Sequence, residues 1–322
     1  MRMKIVVLDG FTLNPGDNPW DDIEALGELM VYDRTPNDEI VQRAIGADIL
    51  LTNKTPITAE TIAQLPNLRF ISVLATGYNV VNVAAAREQE IPVSNVPVYA
   101  TDAVAQHVFA LLLTLIHQPT LHDQAIRDGQ WQSRGDFSFW LSPLSELRGK
   151  TFGIIGFGRI GQAVAKLATA FGMKVLAYDC SKQQAAFSEG ITRAETIEDI
   201  FRLSDVVSLH CPQTASNTGL IGATSLSTMK PSALLINTAR GGLINERDLA
   251  DALKEKRLAG AALDVVSAEP ISADNPLLTA PNCLFTPHIA WAAREARHRL
   301  MAGTAANIKA FLSGRPINVV GE

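Results

Sequence analysis

Three cysteines in 322 residues, Cys180, Cys211 and Cys283, are few and far apart. None forms a C-x-x-C pair, so neither a disulfide framework nor a thiolate zinc site is suggested, and a reducing compartment fits. Excess positive charge is also lacking: 28 basic residues stand against 33 acidic ones, with a net charge of -5 and a pI near 5.7. A broad phosphate-binding surface needs a surplus of lysine and arginine, so nucleic acid is not expected as a partner. No apolar run reaches the roughly 20 residues of a membrane span. The longest, "AVAQHVFALLLTLI", is interrupted by Gln106 and His107 and reads as a buried helix. The opening "MRMKIVVLDGF" has no apolar stretch of secretory length and no small-residue cleavage site after it, so the expected location is the cytoplasm and no membrane partner is expected.

The composition, 47% hydrophobic and 19% charged, is that of a soluble globular protein with real cores, and the length suggests about two domains. Short β-branched runs, "KIVVL", "DILLT", "RFISVLA" and "IPVSNV", alternate with helical segments such as "NDEIVQRAIGA" and "TAETIAQL". Continuous apolar strands joined by helices imply parallel sheet covered on both faces. After residue 150 the pattern restarts, with "TFGIIGFG", "MKVLAYD", "DVVSLH", "SALLINT", "AGAALDV" and "NCLFTP" as six strand candidates. That number matches a Rossmann-type, doubly wound nucleotide-binding sheet.

Between the halves, "TDAVAQHVFALLLTLIHQ" is apolar at helical spacing, with Thr101 and Asp102 as capping candidates. The next stretch, 119–147, is polar and aromatic and reads as a long loop. Trp131, Phe137, Phe139 and Trp140 make it a candidate subunit contact, the alternative being an extension packed on its own domain. The final segment, "REARHRLMAGTAANIKAFLSG", reads as an amphipathic helix stopped by Gly314 and Pro316 and is expected to pack on the first domain. The expected division is therefore 1–100 with 292–322 as one domain and 101–291 as the other.

Gly156, Gly158 and Gly161 stand in G-x-G-x-x-G spacing directly after a strand and at the start of a helix. The first permits a tight turn, the second admits a pyrophosphate against the backbone, and the third lets helix and strand approach. The amides of Arg159 and Ile160 then lie at the positive end of that helix. Asp179 ends the next strand, 18 residues after Gly161, and is followed by Cys180 and Ser181 rather than arginine. A carboxylate there accepts from ribose hydroxyls and repels a 2′-phosphate, which favours NAD, as NADH over NADPH. The alternatives are a glycine turn without ligand and an S-adenosylmethionine site.

Three later stretches end strand candidates with polar groups: "LLINTARGGLI" with Arg240, "AALDVVSAEP" with Asp264 and Glu269, and "FTPHIAW" with His288. Residues past the carboxyl ends of parallel strands converge on the ligand crevice. Reducing a 2-keto acid needs a hydride donor, a cation for the carboxylate and carbonyl, and an acid for the new alkoxide. Arg240 offers a bidentate fork, and His288 brings the side-chain type whose ordinary pKa lies closest to working pH. Glu269 on the other ring nitrogen would orient the imidazole and stabilise its charged form. Asp264 is assigned to the nicotinamide end. Taken singly, each of these could be a surface cation, a solvated carboxylate or a turn residue. Asn53 and Lys54 in "LTNKTP" are candidates to approach the substrate, a solvated turn being the alternative. His107 reads as a satisfied packing residue and His210 as structural, while His117, His122 and His298 show no partner at ligand spacing; no metal site is expected.

In order and spacing, the glycine unit, "NTARGG", "LDV...EP" and "TPH" resemble the D-isomer-specific 2-hydroxyacid dehydrogenase family over essentially the full length. The resemblance implies a flavodoxin-like substrate domain beside the Rossmann domain, a cleft that closes on hinges, and a homodimer. It places the catalytic roles on Arg240, Glu269 and His288. Cofactor contacts fall on Gly156 to Gly161, Asp179, Cys211, Pro212, Asn217, Thr238, Ala239, Arg240, Asp264 and Thr101. "LATGYNVVN" resembles the family's substrate loop, in which amides near Ala75, Thr76 and Gly77 hold the carboxylate. "GYNVV", "DFSFW" and "TPHIAW" are most similar to the glycerate dehydrogenases, also called hydroxypyruvate or glyoxylate reductases. An NAD-sensing dimeric binding protein, a formate dehydrogenase and a phosphoglycerate dehydrogenase are the rivals. Formate dehydrogenases place glutamine where Glu269 stands, and a phosphoglycerate dehydrogenase is expected to continue beyond the final helix.

Overall fold

The computed structural model describes residues 2–179 and 190–321. Cys180 and Ser181, which follow the acidic residue of the dinucleotide pattern, lie outside the described residues. The chain forms two compact units, Met1–Ala100 with Trp291–Glu322, and Thr101–Ala290. Trp291, which the sequence grouped with the second domain, falls in the first unit, its ring edge-on to Tyr99 at 6.3 Å.

The first unit is a five-stranded parallel sheet of β1 (Lys4–Val7), β2 (Glu28–Val31), β3 (Ile49–Thr52), β4 (Phe70–Val73) and β5 (Val93–Ser94). Their order, β2-β1-β3-β4-β5, is the flavodoxin-like one. Every residue of β3 and β4 is buried, as an apolar run covered on both faces requires. Helices α1 (Asp21–Glu24), α2 (Ile40–Ala44), α3 (Ala59–Ala63) and α4 (Val83–Glu88) connect the strands. Thr58 and Asn82 cap the last two by accepting from the amides of Thr61 and Ala85. A C-terminal helix, Arg294–Leu312, covers this sheet: Phe311 stacks on the fully buried Phe70 with ring centres 4.6 Å apart and planes 7° from parallel. It stops at Gly314, whose φ of +75° is cheap only for glycine and whose amide bonds back to Phe311. The tail then runs beside β5, Asn95 donating to the Asn318 carbonyl and Val320 to that of Val93.

The second unit begins with α5 (Thr101–His117), α6 (Pro119–Arg127) and α7 (Gln130–Arg134). Thr101 is the first residue of α5 rather than its cap, while Asp102 lies in the first turn, where its charge suits the helix dipole. The stretch from 119, read as a loop, therefore carries two short helices: Pro119 supplies a preset φ at the start of α6, and Gly129 and Gly135 flank α7 at φ of +76° and +72°. The sheet follows: β6 (Thr151–Ile155), α8 (Arg159–Ala170), β7 (Lys174–Tyr178), β8 (Ile191–Arg193), α9 (Ile197–Leu203), β9 (Val206–Leu209), α10 (Ala223–Thr228), β10 (Leu234–Asn237), α11 (Glu246–Lys254), β11 (Gly260–Leu263) and β12 (Cys283–Phe285). All seven strands are parallel, in the order β12-β11-β10-β9-β6-β7-β8. The order reverses between β6 and β9, as a doubly wound sheet does.

Each of the six strand candidates after residue 150 houses a strand. Two strands were not foreseen, β2 and β8, both at sheet edges with short, partly exposed sequences that carry little apolar signal. Among the described residues no single helix is long and apolar enough to cross a membrane; the apolar face of α5 is spent on Val108, Phe109, Leu111 and Leu112, which are buried in the unit's own core.

The stacked pair gives the fold its test. Phe70→Ala is expected to lower stability by about 3–5 kcal/mol, seen as a fall in the urea midpoint of unfolding; an unchanged midpoint contradicts the role given to this contact.

Candidate active site

The carboxyl ends of the second unit's strands carry the chemistry. At the switch point, Gly156 ends the β6 turn with φ +96°, and a Cβ there would lie 2.5 Å from the Cys211 amide nitrogen. Only a glycine lets the turns after β6 and β9 touch in this way. The Gly156 amide donates to the Tyr178 carbonyl at 2.9 Å, which brings the end of β7, and Asp179 after it, beside the glycine turn. Gly161 sits on the turn as well, with 2.3 Å from its absent Cβ to the Gly156 carbonyl. Gly158 is different, because a Cβ there would meet open space. It precedes the first turn of α8, in which the amides of Arg159 and Ile160 have no helical acceptor.

The Cys211–Asn217 turn after β9 is closed by Asn217, whose side chain donates to the Pro212 carbonyl at 2.8 Å and accepts from Thr214 at 2.7 Å. Beside it, the His210 ring meets the Ser208 hydroxyl at 2.9 Å, and loss of hydration pushes its pKa down to about 3. Burial pushes the Cys283 thiol up to about 12.

After β10, Asn237 shapes the turn, accepting from Ala239 at 2.9 Å and donating to the Arg240 carbonyl at 2.8 Å. Arg240 is half-buried. One terminal nitrogen returns to the Ala239 carbonyl at 2.7 Å, and the rest of the fork meets no acceptor among the described residues. The Thr238 hydroxyl oxygen is buried and has no hydrogen-bond partner. Gly241 then lies so near the next turn that a Cβ would be 1.9 Å from the Val266 carbonyl carbon, and Gly242 packs on the Gln213 side chain. The turns after β9, β10 and β11 are thus in mutual contact.

The turn after β11 carries Asp264 and Glu269. Glu246 at the start of α11 anchors it, accepting from the Ser267 amide at 2.7 Å, the Ser267 hydroxyl at 2.9 Å and the Asn275 side chain at 2.9 Å. Glu269 accepts from His288 Nδ1 at 2.7 Å. Since an ionised carboxylate only accepts, this bond fixes a proton on Nδ1 and leaves Nε2, which has no protein partner among the described residues, for another molecule.

His288 itself has φ +54°, an uncommon region for a non-glycine residue. Asp264 holds it there. The Asp264 carbonyl accepts from the His288 amide at 2.8 Å, and its carboxylate accepts from the Thr286 hydroxyl at 2.6 Å and the amides of Ile289 and Ala290 at 2.8 and 2.9 Å. Burial works to raise the Asp264 pKa, but hydrogen bonds from His107, Thr286 and the two amides prevail, and the net shift is downward. Sequence reading missed Glu246, Thr286 and the part played by His107. A glutamate opening a helix and a threonine before a proline carry no signal of the loops they hold.

The first unit has its own candidates. Asp9 closes the turn after β3, accepting from the amides of Asn53, Lys54 and Thr55 at 2.8, 2.6 and 2.7 Å. Asn53 is buried and donates to the Leu74 carbonyl at 2.6 Å. Beyond Leu74, the Ala75 carbonyl accepts from Val96 and the Thr76 carbonyl from Asn95, while the Thr76 hydroxyl donates to the Val96 carbonyl. The amides of Ala75, Thr76 and Gly77 donate to no protein acceptor among the described residues. Elsewhere, His122 is pinned between the Gln118 carbonyl and the Leu141 amide, and His298 lies 3.3 Å from the Asp17 carbonyl.

These residues fit a dinucleotide. An opening at Gly158, free helix amides and an orphaned Thr238 hydroxyl lie along one sheet edge, with an imidazole held by a carboxylate farther along it. That combination defines a dinucleotide-dependent oxidoreductase.

Residues 109–290 match the family model described as "D-isomer specific 2-hydroxyacid dehydrogenase, NAD binding domain". The chain is 50% identical over 323 aligned residues to the hydroxypyruvate reductase of Blautia hydrogenotrophica, covering 99% of this chain and 100% of that protein. It is 42% identical to the glycerate dehydrogenase of Methylorubrum extorquens, covering 99% of each. Among solved structures, the NADPH-dependent glyoxylate/hydroxypyruvate reductase of Sinorhizobium meliloti with NADP and malonate superposes with a TM-score of 0.85 at 29% identity, covering 100% of this chain and 97% of that one. The chain belongs to the D-isomer specific 2-hydroxyacid dehydrogenase family and is an enzyme of that family.

The environment of His210 has a pH consequence. Its folded pKa lies below the ordinary 6.5, so the unfolded chain takes up a proton first, and stability is lost as pH falls from about 6.5 towards 3. The ring is expected not to titrate between pH 8 and 5 by proton NMR; a midpoint near 6.5 refutes this.

Proposed function

We propose that the protein reduces a small 2-keto acid, hydroxypyruvate to D-glycerate and glyoxylate to glycolate, with NADH as the preferred cofactor. The observation that carries this reading is the 2.7 Å bond between Glu269 and His288 Nδ1, which leaves Nε2 to deliver a proton. The bound nicotinamide cofactor supplies the hydride.

Arg240 offers the free part of its fork to the substrate's carboxylate and carbonyl oxygens, where a planar bidentate donor fixes orientation and polarises the bond to be reduced. His288, charged and aligned by Glu269, gives its Nε2 proton to the alkoxide oxygen as it forms. In oxidation the same nitrogen takes the proton back. The amides of Ala75, Thr76 and Gly77 are donors of the kind that holds a carboxylate without a counter-charge. The cofactor contacts belong to this reading: Gly156, Gly158, Arg159, Ile160 and Gly161 for the pyrophosphate, Asp179 for the ribose, and Cys211, Pro212, Asn217, Thr238, Ala239, Asp264 and Thr101 for the rest.

Support for hydroxypyruvate and glyoxylate comes from the names of the relatives, and support for NADH from the carboxylate of Asp179. The Sinorhizobium enzyme uses NADPH, so cofactor choice is open to direct measurement.

A panel of glyoxylate, hydroxypyruvate, pyruvate and bulkier keto acids, run with NADH and NADPH, is expected to give turnover highest with the first two and with NADH. His288→Ala should lower kcat by about 10²–10⁴-fold. No turnover of either acid with either cofactor rejects the substrate assignment; near-normal turnover in the variant removes His288 from its role.

We further propose a homodimer formed through 119–147. Phe137 is 92% exposed and Trp140 66%, with Trp131 and Phe139 packed edge to face beside them. Large exposed aromatic groups of this kind suit a protein interface. Sedimentation should find a dimer that Phe137→Ser with Trp140→Ser weakens. A wild-type monomer at micromolar concentration rejects the assignment.

A further inference from the structure

One polar side chain of α5, His107, reaches the buried Asp264 without touching the groups assigned to the reaction. The His107 side chain is 18% exposed, in a helix that also buries Val104, Val108 and Leu111, and its Nε2 lies 3.0 Å from the Thr286 hydroxyl oxygen and 3.4 Å from Asp264 Oδ1. The proton positions follow from the partners. Asp264 is held ionised by its donors and can only accept, so the single Thr286 proton goes to Asp264 Oδ1 at 2.6 Å. The Thr286 oxygen must then accept, and the His107 proton sits on Nε2. The result is a directional chain from imidazole N–H to hydroxyl to carboxylate, which also takes the amides of Ile289 and Ala290.

The chain ends on the two residues that follow His288. A left-handed conformation at a non-glycine residue persists only where the surroundings over-determine it. Here the determinants are the two acceptors of the His288 amide, the Asp264 carboxylate and the Thr286 hydroxyl that His107 orients. If the Thr286 proton rotated away, the buried Asp264 carboxylate would lose one of its donors, and the 286–290 turn would loosen.

We infer that His107 is a positioning residue for the acid–base histidine, acting through Thr286 and Asp264 to hold the 286–290 turn and aim His288 at the substrate oxygen. The inference rests on the reductase reading for its kinetic arm and on geometry alone for its structural arm. His107 touches neither reacting atom, so its loss weakens alignment rather than binding. Outer partners of this kind typically contribute about 10–100-fold in activity.

The test uses the full chain with four substitutions, His107→Leu, His107→Gln, Thr286→Val and Thr286→Ser. Amide hydrogen exchange at Ile289 and Ala290 is measured without substrate, and kcat and KM are measured with hydroxypyruvate at saturating NADH. His107→Leu and Thr286→Val should speed exchange at those two amides and lower kcat at least about tenfold with KM for the keto acid nearly unchanged. His107→Gln keeps an N–H donor and Thr286→Ser keeps the hydroxyl, so both should restore most of each loss. Unchanged exchange and kcat in the Leu and Val variants overturn the inference, and so does a Gln variant as impaired as Leu, which would mark a packing role for the ring. Should His107→Leu fail to fold, the Thr286 pair decides. If the wild type reduces no keto acid, the reductase reading fails while the exchange measurements still judge the turn.

Discussion

A buried carboxylate just past the middle one of three neighbouring strands governs the catalytic edge of the second unit. Asp264 is 1% exposed, and an ion so placed is tolerated only when its lone pairs are met by donors. Meeting them draws in the turn after β12, because most of the donors come from there. The same residue's backbone accepts from His288. The backbone that carries the imidazole therefore cannot shift without disturbing the bonds that cover a charge. Glu269 can afterwards act by a single bond, since the ring it orients is already fixed at its base.

The two sheets share an architecture and treat their switch points in opposite ways. In the first unit the gap between β1 and β3 is filled by the protein's own anion, Asp9, which saturates three amides of the turn at 53–55. In the second, glycines bring the turns after β6 and β9 together while Gly158 faces open space. One crevice is satisfied internally; the other presents unspent donors. This difference accounts for why only one of two similar sheets reads as a dinucleotide site.

Much of this was legible in the sequence because the informative residues have strict local requirements. Gly161 answers to a close contact with Gly156 five residues back and Gly156 to a positive φ in its turn, and the six strand candidates after residue 150 carry continuous apolar runs. Arginine, glutamate and histidine after successive strands could be assigned to one edge before any coordinates. What stayed hidden depends on partners distant in the chain. His107 meets Thr286 across 179 positions and Glu246 meets Ser267 across 21, and no local pattern announces either pairing. The edge strands β2 and β8 escaped because a half-exposed strand of three or four residues is hardly distinguishable from a loop. The helices at 119–134 escaped because polar and aromatic composition masked their short turns.

The first unit is assembled from both ends of the chain, and this has a consequence for biosynthesis. Phe70 on β4 stacks on Phe311, and β5 is flanked by the segment around Asn318. A nascent chain emerging from its N-terminus leaves that sheet face uncovered throughout the manufacture of residues 101–290, a continuous stretch that forms the other compact unit. All residues of the later unit are thus made before the last of those in the earlier one, whose Phe70 meets its stacking partner only when the C-terminal helix has been made.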